Sequence, residues 1–179
     1  FSGIAAGAYI TSTLPVLFKR DELKEVSLLA LLISWATLIA SPVPLLLHLG
    51  FPWRAGNIFA FPQVSSPMAL FGYLWIVFLV LATISIIVYN WFYSAPWFKN
   101  LSTVLAGIGV IVAILFSGYI GFIFGSNKAV ELWYNPIIPI SFILCAILSG
   151  LALVAILYVV VWRLSRMEVN KAALNAMGR

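Results

Sequence analysis

Long apolar runs dominate this chain and are separated by short polar segments. A helix needs about 20 mostly apolar residues to cross the hydrocarbon core of a bilayer, so a charge-free run of that length predicts a membrane span. About five such runs are present, at residues 1–18, 26–49, 67–91, 101–124 and 136–162. The pattern predicts an all-α fold, a polytopic transmembrane helix bundle with about five spans. The first run is short for a span, and we expect its helix to continue upstream of Phe1.

The predicted bundle occupies residues 1–164, and residues 165–179 are expected to form a cytoplasmic amphipathic tail. Proline marks the start of two of the predicted helices. Ser66-Pro67 and Asn135-Pro136 each combine a residue that favours the N-cap with proline at the first helical position, where the missing N–H costs nothing. We therefore expect these two helices to begin at the prolines.

The distribution of basic residues predicts how the spans are oriented. Positive charge is retained on the cytoplasmic side of a membrane. With five spans, the first loop, the third loop and the tail share a side that carries eight Lys and Arg, whereas the opposite side carries two, Arg54 and Lys128. We therefore expect the N-terminus and the loops at 50–66 and 125–135 to lie outside, and the C-terminus to be cytoplasmic.

Composition excludes several classes of protein. Hydrophobic residues make up 64% of the 179 residues, charged residues make up 8%, and the mean hydropathy is +1.12, which excludes a water-soluble globular fold. The net charge of +5 comes from basic residues scattered at the ends of the runs, so no basic stripe favours nucleic-acid binding. The expected surroundings are membrane lipid.

The chain has a single cysteine, Cys145, and a single histidine, His48. An iron–sulfur cluster needs several thiolate ligands, and a bis-histidine haem needs two axial histidines. We therefore expect no haem and no iron–sulfur cluster in this chain, and any cluster would belong to a partner. The predicted spans contain no Asp, Glu or Lys, which argues against a carboxylate proton relay and against ion-coupled transport.

Polar side chains that could carry chemistry lie toward the expected outer ends of the spans. Tyr119 precedes Gly125 by six residues, which places it roughly 9 Å below the end of its helix. Its hydroxyl needs a partner, either a carbonyl of a neighbouring helix or a bound carbonyl ligand. His48 could cap the end of the second predicted helix or accept a proton, since imidazole titrates near neutral pH. Arg54 could equally contact a lipid headgroup or its own loop.

Small residues recur at every fourth position of two predicted helices. They are Gly3, Gly7 and Thr11 in the first run and Gly109, Ala113, Ser117, Gly121 and Gly125 in the fourth. In a membrane, small residues let helix backbones approach closely. The stripes therefore predict close helix packing rather than chemistry.

Several short motifs follow one another along the chain. They are Gly3-Ile4-Ala5-Ala6-Gly7, His48-Leu49-Gly50-x-Pro52-x-Arg54, Ser66-Pro67-Met68, Tyr119-x-Gly121, and Trp133 ahead of Pro139 and Ser149-Gly150. In this order they resemble the NrfD/PsrC family, the quinone-interacting membrane subunits of polysulfide reductase and related molybdoenzyme or multihaem complexes. The resemblance extends through essentially the whole chain.

The resemblance implies a haem-free anchor of about eight helices, with a quinone site near one membrane face beside a ferredoxin-like iron–sulfur subunit. Tyr119 matches the family's quinone-contacting tyrosine, and the corner from His48 to Gly50 matches a segment of the same pocket. Arg54 and Gly7 complete the residues expected to bind the quinone. Phe51 stands where the family usually has arginine, which puts one contact with the cluster-bearing partner in doubt.

The residues and the resemblance leave two hypotheses of function open. The first is a quinone-binding anchor, not catalytic alone, of a respiratory oxidoreductase in a prokaryotic plasma (inner) membrane. It would exchange electrons between menaquinone or ubiquinone and an extrinsic iron–sulfur subunit on the outer face, with a molybdopterin or multihaem subunit completing the complex. Tyr119 and His48 would share one pocket. The second is a non-redox bundle, either a structural anchor or a small-solute transporter.

Overall fold

The computed structural model describes residues 1–17, 24–61, 63, 65–91, 98–126 and 134–164. Within these ranges every regular element is helical, which confirms the predicted all-α class. In chain order the α-helices are α1 (Ser2–Leu17), α2 (Lys24–Ala40), α3 (Pro42–His48), α4 (Asn57–Ala60), α5 (Pro67–Trp91), α6 (Phe98–Gly125) and α7 (Ile138–Leu164). A short 3-10 helix at Pro52–Gly56 precedes α4.

Four helical segments in the described ranges are long and apolar enough to cross a membrane. They are Val26–His48, which joins α2 and α3, and Pro67–Asn90, Asn100–Gly125 and Ile138–Leu164. They agree with four predicted runs to within a few residues, and the chain is a multi-pass membrane protein. α1 differs, because its 16 residues extend only about 24 Å, less than the ~30 Å thickness of the hydrocarbon core.

α1 lies at the centre of the bundle. It packs against α2, α6 and α7, and Tyr9 also reaches Phe78 and Ser85 of α5. Its buried residues lie on all sides of the helix, namely Ala5, Ala6, Ala8, Tyr9, Thr11, Ser12 and Thr13. A helix that is buried all round is typical of a protein core. The first predicted span is therefore the core helix of this bundle.

Small residues bring α7 into close contact with α1 and α6. A Cβ atom added at Gly7 would lie 2.9 Å from the Gly150 Cα and would overlap the Ala146 carbonyl oxygen. A Cβ atom added at Gly121 of α6 would lie 2.6 Å from the Pro139 Cα. Since backbone atoms cannot rotate away, only glycine permits these approaches. The close packing predicted from the stripes is confirmed.

Two serines of α2 bond the helix to α1. The Ser34 Oγ donates to the Ala5 carbonyl oxygen at 2.7 Å, and the Ser27 Oγ donates to the Ser12 carbonyl oxygen at 2.7 Å. The two donors are seven residues apart in α2, and the two acceptors are seven residues apart in α1. Residues seven apart lie on the same face of a helix, two turns from each other. The two bonds hold α1 and α2 antiparallel along one seam and satisfy hydroxyls in an apolar interior.

A proline interrupts the span formed by α2 and α3. Pro42 has no N–H, so it cannot donate to the carbonyl oxygen of Leu38, four residues earlier. That oxygen instead accepts from the Ser41 N–H at 3.3 Å, from the Ser41 Oγ at 2.8 Å and from the Trp75 Nε1 of α5 at 3.0 Å. Within a membrane a freed carbonyl must be satisfied by the protein itself. The Trp75 side chain is therefore hydrogen-bonded to the protein at the junction of α2 and α3.

One predicted helix start is wrong. The sequence predicts Pro136 as the first residue of its helix, but α7 starts at Ile138. The Asn135 Oδ1 accepts a hydrogen bond from the Ile137 N–H at 2.9 Å. Such a bond closes a turn through the asparagine side chain, and the turn delays the helix. α5 does begin at Pro67, as predicted.

Some predictions concern residues outside the described ranges. The amphipathic tail at 165–179, most of the first loop and Trp133 are among them. Most of the basic residues behind the predicted orientation lie there as well. The orientation and the division of the chain at residue 164 stay predictions.

Candidate functional site

A large cavity lies at the end of the bundle where α3 ends and α5 begins. Its volume is about 760 Å³, within the range of small-molecule sites, roughly 300–1,000 Å³. Residues from the start of α1, from α3, from the loop that follows it, from the first turns of α5 and from the last turns of α6 line it. We call this space the α3/α5 cavity.

α3 forms one wall of the α3/α5 cavity. Pro42, Pro44 and Leu45 make this wall apolar, and His48 lies on it at the last turn of the helix. His48 is the only ionisable side chain among the described residues that line the cavity. The cavity therefore places one proton-exchanging group in a mostly apolar space.

α5 forms the opposite wall with Met68, Phe71 and Trp75. Their spacing of three and four residues puts them on one face of the helix. Trp75 is fixed because its Nε1 donates to the Leu38 carbonyl oxygen. Phe71 stacks on the buried Phe116, with 5.2 Å between ring centroids. The core of the bundle thus supports this wall.

The loop between α3 and α5 folds back over the start of α5. Gly72 faces this loop, and a Cβ added there would make ordinary contacts, 3.4 Å from the Ile58 Cγ2 and 3.5 Å from the Phe59 ring. The Tyr73 hydroxyl donates to the Ile58 carbonyl oxygen at 3.3 Å. The rings of Phe59 and Tyr73 are 6.4 Å apart. These contacts fix the loop against the start of α5. Ile58 and Phe59 also line the cavity, so the loop forms part of its wall.

Tyr119 lies beside the α3/α5 cavity but does not line it in this structure. Its hydroxyl donates to the Pro67 carbonyl oxygen at 3.1 Å, and the next residue along α5, Met68, lines the cavity. α6 contributes apolar side chains instead, such as Ile120. Of the two partners considered for the hydroxyl, a carbonyl of a neighbouring helix is the one observed. A pocket shared by Tyr119 and His48 stays a prediction.

The other expected site residues lie in separate places. Gly50 lies in the loop after α3, and Arg54 lies in the 3-10 helix with its guanidinium carbon 4.9 Å from the centre of the Phe51 ring. Neither of them lines the cavity. Gly7 lies in the contact between α1 and α7, so helix packing explains its position. Among the expected residues, His48 is the one that the structure places on the cavity wall.

Phe71 and Trp75 line the cavity although the motifs do not indicate them. A signal for them exists, because aromatic residues at 71, 75 and 78 recur along one face of α5 directly after Ser66-Pro67-Met68. An aromatic face of this kind usually belongs to a core. The pattern alone therefore does not distinguish a core face from a cavity wall.

In the part of the chain that the structure describes, no group of three or more His, Cys, Asp or Glu side chains could hold a metal ion. Cys145 is a free, exposed thiol. The described lining of the α3/α5 cavity offers apolar contact and hydrogen bonding at His48.

Comparison with known proteins adds a family and two relatives. A family model described as "Polysulphide reductase, NrfD" matches residues 1–178. A selenate reductase subunit of Mesobacillus selenatarsenatis is 26% identical over 88% of this chain and 45% of its own length. The Hdr-like menaquinol oxidoreductase integral membrane subunit of Archaeoglobus fulgidus is 24% identical over 99% of this chain and 44% of its own length. The chain thus spans less than half the length of these relatives, and no solved structure matches it significantly.

Proposed function

Because this chain belongs to the polysulphide reductase NrfD family, we propose that it is a quinone-binding membrane subunit of a respiratory oxidoreductase complex. One relative is named as a subunit of a selenate reductase and another as an integral membrane subunit of a menaquinol oxidoreductase. The protein would exchange electrons between membrane quinone and an extrinsic iron–sulfur subunit. A molybdopterin or multihaem subunit would complete the complex and carry its terminal reaction.

The α3/α5 cavity is the observation that carries this proposal. A quinone has a flat ring with two carbonyl oxygens and a long apolar tail, so it needs an apolar space with a few polar groups. The cavity offers about 760 Å³, apolar walls and one imidazole, that of His48. Leu45 and Met68 line the cavity and are 41% and 45% exposed, so the cavity is open at these residues, and the tail could leave there.

In the proposed chemistry, the protons and the electrons of the quinol leave by different routes. Quinol oxidation releases two protons and two electrons. The His48 imidazole accepts one of these protons from the quinol oxygen to which it is hydrogen-bonded, and the other proton passes to water at the outer face. Tyr119 serves the other oxygen when its hydroxyl turns from the Pro67 carbonyl oxygen into the cavity beside Met68. The electrons pass to the clusters of the partner.

The loop after α3 is the proposed contact with the extrinsic partner. Phe51 and Trp53 are exposed there, and Arg54 places its guanidinium over the Phe51 ring. Aromatic and arginine side chains are enriched in protein–protein contacts. The loop begins at Gly50, close in sequence to His48, so a partner docked on it would hold its clusters near the quinone.

We place the α3/α5 cavity at the outer face of a prokaryotic plasma membrane, with the N-terminus outside and the C-terminus cytoplasmic. Phe1 and His48 both line the cavity, so the start of the chain and the end of α3 lie at one end of the bundle. The predicted five-span topology assigns eight Lys and Arg to the opposite side and two to this one, which supports this orientation. Protons from quinol would then leave on the outer face.

Photoaffinity labelling of the purified complex tests this function. A photoreactive azidoquinone should label peptides from α3 and α5, and added menaquinone should prevent the labelling. A photoreactive lipid without a quinone ring is the control, and menaquinone should not compete with it. Azidoquinone labelling that is confined to lipid-exposed parts of α7 and insensitive to menaquinone would refute the site and favour a structural anchor.

A further inference from the structure

A second, smaller chamber lies toward the opposite end of the bundle. It has a volume of about 40 Å³ and is lined by residues of α1, α2, α5 and α6. A void of roughly 10–15 Å³ can hold one water molecule when polar partners surround it, so this chamber has room for a few. Several hydroxyl-bearing residues line it, among them Tyr9, Ser12, Ser27 and Ser85. We call it the hydroxyl chamber.

The hydrogen bonds around the hydroxyl chamber determine what it can bind. The Ser12 Oγ donates to the Tyr9 carbonyl oxygen at 2.6 Å, the Ser27 Oγ to the Ser12 carbonyl oxygen at 2.7 Å, and the Ser85 Oγ to the Leu81 carbonyl oxygen at 2.8 Å. Each of these hydroxyl hydrogens is therefore used, and the Ser85 Oγ also accepts from the Tyr9 hydroxyl at 2.8 Å. Each of the three oxygens still keeps at least one lone pair that can accept a hydrogen bond. A chamber that offers acceptors fits a small molecule that donates hydrogen bonds, and water is the smallest such molecule.

Four aromatic rings connect the hydroxyl chamber to the α3/α5 cavity. Tyr9 lines the chamber, and its ring meets Phe78 edge-on with 5.4 Å between centroids. Phe78 lies 5.4 Å from Phe116, and Phe116 stacks on Phe71 at 5.2 Å. Phe71 lines the α3/α5 cavity. We call these four rings the aromatic column.

The surroundings of the aromatic column are apolar. Phe78 and Phe116 are 0% exposed and Tyr9 is 1% exposed. The other buried residues of the same cluster are Ala5, Ala6, Leu31, Leu38, Ala82 and Ala113. Phe78 and Phe116 have no accessible surface, so no water fits beside these two rings. Of the four rings only Tyr9 carries an ionisable group, and its hydroxyl lies at the chamber end, where it bonds Ser85. The rings of Phe78, Phe116 and Phe71 between it and the α3/α5 cavity carry no group that can pass on a proton.

We propose that the hydroxyl chamber binds water and that the aromatic column keeps this water from exchanging protons with the α3/α5 cavity. The bundle then has a hydrated space toward one membrane face, a quinone space toward the other, and a dry layer between them. Protons released in the cavity leave only on its own face. This inference rests on the proposed function in one respect, because it takes the α3/α5 cavity as the quinone site.

Radiolytic footprinting of the purified complex tests the water site, because hydroxyl radicals formed from bound water oxidise the side chains that touch it. Tyr9 should be oxidised several-fold faster than Tyr158, a tyrosine of α7 that is 0% exposed and packs on Trp162. Corrected for intrinsic reactivity, Phe78 and Phe116 should be as slow as Tyr158. Equal rates for Tyr9 and Tyr158 would overturn the water site. Oxidation of Phe78 at the rate of Tyr9 would overturn the dry column.

Proton leak into vesicles that contain the complex tests the barrier. Phe116→Asn adds an amide to the aromatic column and should raise the leak several-fold. Leu115→Asn is the matched control, because Leu115 is adjacent on α6 but 55% exposed, and it should leave the leak unchanged. An assembled Phe116→Asn complex with the wild-type leak would overturn the barrier. If this variant does not assemble, Phe78→Thr gives the same comparison. Neither measurement uses quinone, so failure here is distinct from failure of the quinone site.

Discussion

Replacing Gly7 with alanine tests whether α1 is the core helix of the bundle. The added Cβ would lie 2.9 Å from the Gly150 Cα and 2.9 Å from the Ala146 carbonyl carbon, whereas ordinary contacts begin at 3.4 Å. These neighbours are backbone atoms, so they cannot move aside as the end of a flexible side chain would. α1 and α7 must separate along their contact to accommodate the methyl group.

The magnitude follows from two opposing effects. Overpacking a well-packed interior costs about 1–3 kcal/mol. Alanine is more favourable than glycine within a helix by about 1 kcal/mol, which offsets part of that cost. Gly107 of α6 isolates the second effect, because no atom lies within 4 Å of a Cβ added there. We expect the free energies of unfolding of Gly7→Ala and Gly107→Ala to differ by about 2 kcal/mol, with Gly7→Ala the less stable.

Thermal unfolding in detergent, followed by tryptophan fluorescence, measures both variants side by side. Gly7→Ala should unfold at a lower temperature than the unmodified protein, and Gly107→Ala should unfold at the same temperature or a higher one. Gly7→Ala should also weaken quinone binding, because Phe1 and Ser2 at the start of α1 line the α3/α5 cavity. Equal stabilities of the two variants would refute the central packing of α1.

Four further changes test the helix packing, the quinone site and the orientation. Ser34→Ala removes a bond to α1 and should lower the free energy of unfolding by about 1 kcal/mol. Ser117→Ala should cost nothing in the same measurement, because the buried Ser117 Oγ has no hydrogen-bond partner among the described residues, and equal costs would contradict this. Tyr119→Phe keeps the ring but loses the hydroxyl, so quinol-dependent turnover should fall several-fold while turnover with an artificial donor to the partner's clusters stays normal; an unmodified quinol rate would leave Tyr119 as a packing residue. Alkaline phosphatase fused at Lys171 should be inactive, and activity outside the cell would overturn the proposed orientation.

The positions of the membrane helices could be predicted because a span requires a long charge-free run. The spans found agree with the runs at 26–49, 67–91, 101–124 and 136–162. The place of each helix within the bundle could not be predicted in this way. Side chains that face lipid and side chains that face the core are both apolar in a membrane, so the run at 1–18 has the same pattern whether it faces lipid or, as α1 does, lies buried.

The site could be predicted only in part. His48 ends a helix and lies on the cavity wall, and its role in binding quinone stays a prediction. The direction of the Tyr119 side chain could not be predicted in the same way. Successive residues of a helix are rotated by about 100°, so a motif can indicate the end of the helix at which a residue lies but not the side that it faces. The position of Trp75 depends on the carbonyl oxygen of Leu38 that Pro42 leaves free. That hydrogen bond joins residues of two different helices, so no local sequence pattern indicates it.

Equilibrium binding of menaquinone to the purified complex tests the central claim most directly, when His48→Ala is compared with Leu47→Ala. Leu47 is the adjacent residue of α3, is 81% exposed and does not line the α3/α5 cavity. Loss of a hydrogen bond of about 1 kcal/mol should raise the dissociation constant of His48→Ala about fivefold, whereas Leu47→Ala should bind like the unmodified complex. Menaquinone that binds the His48→Ala complex as tightly as the unmodified one would contradict the proposed quinone site.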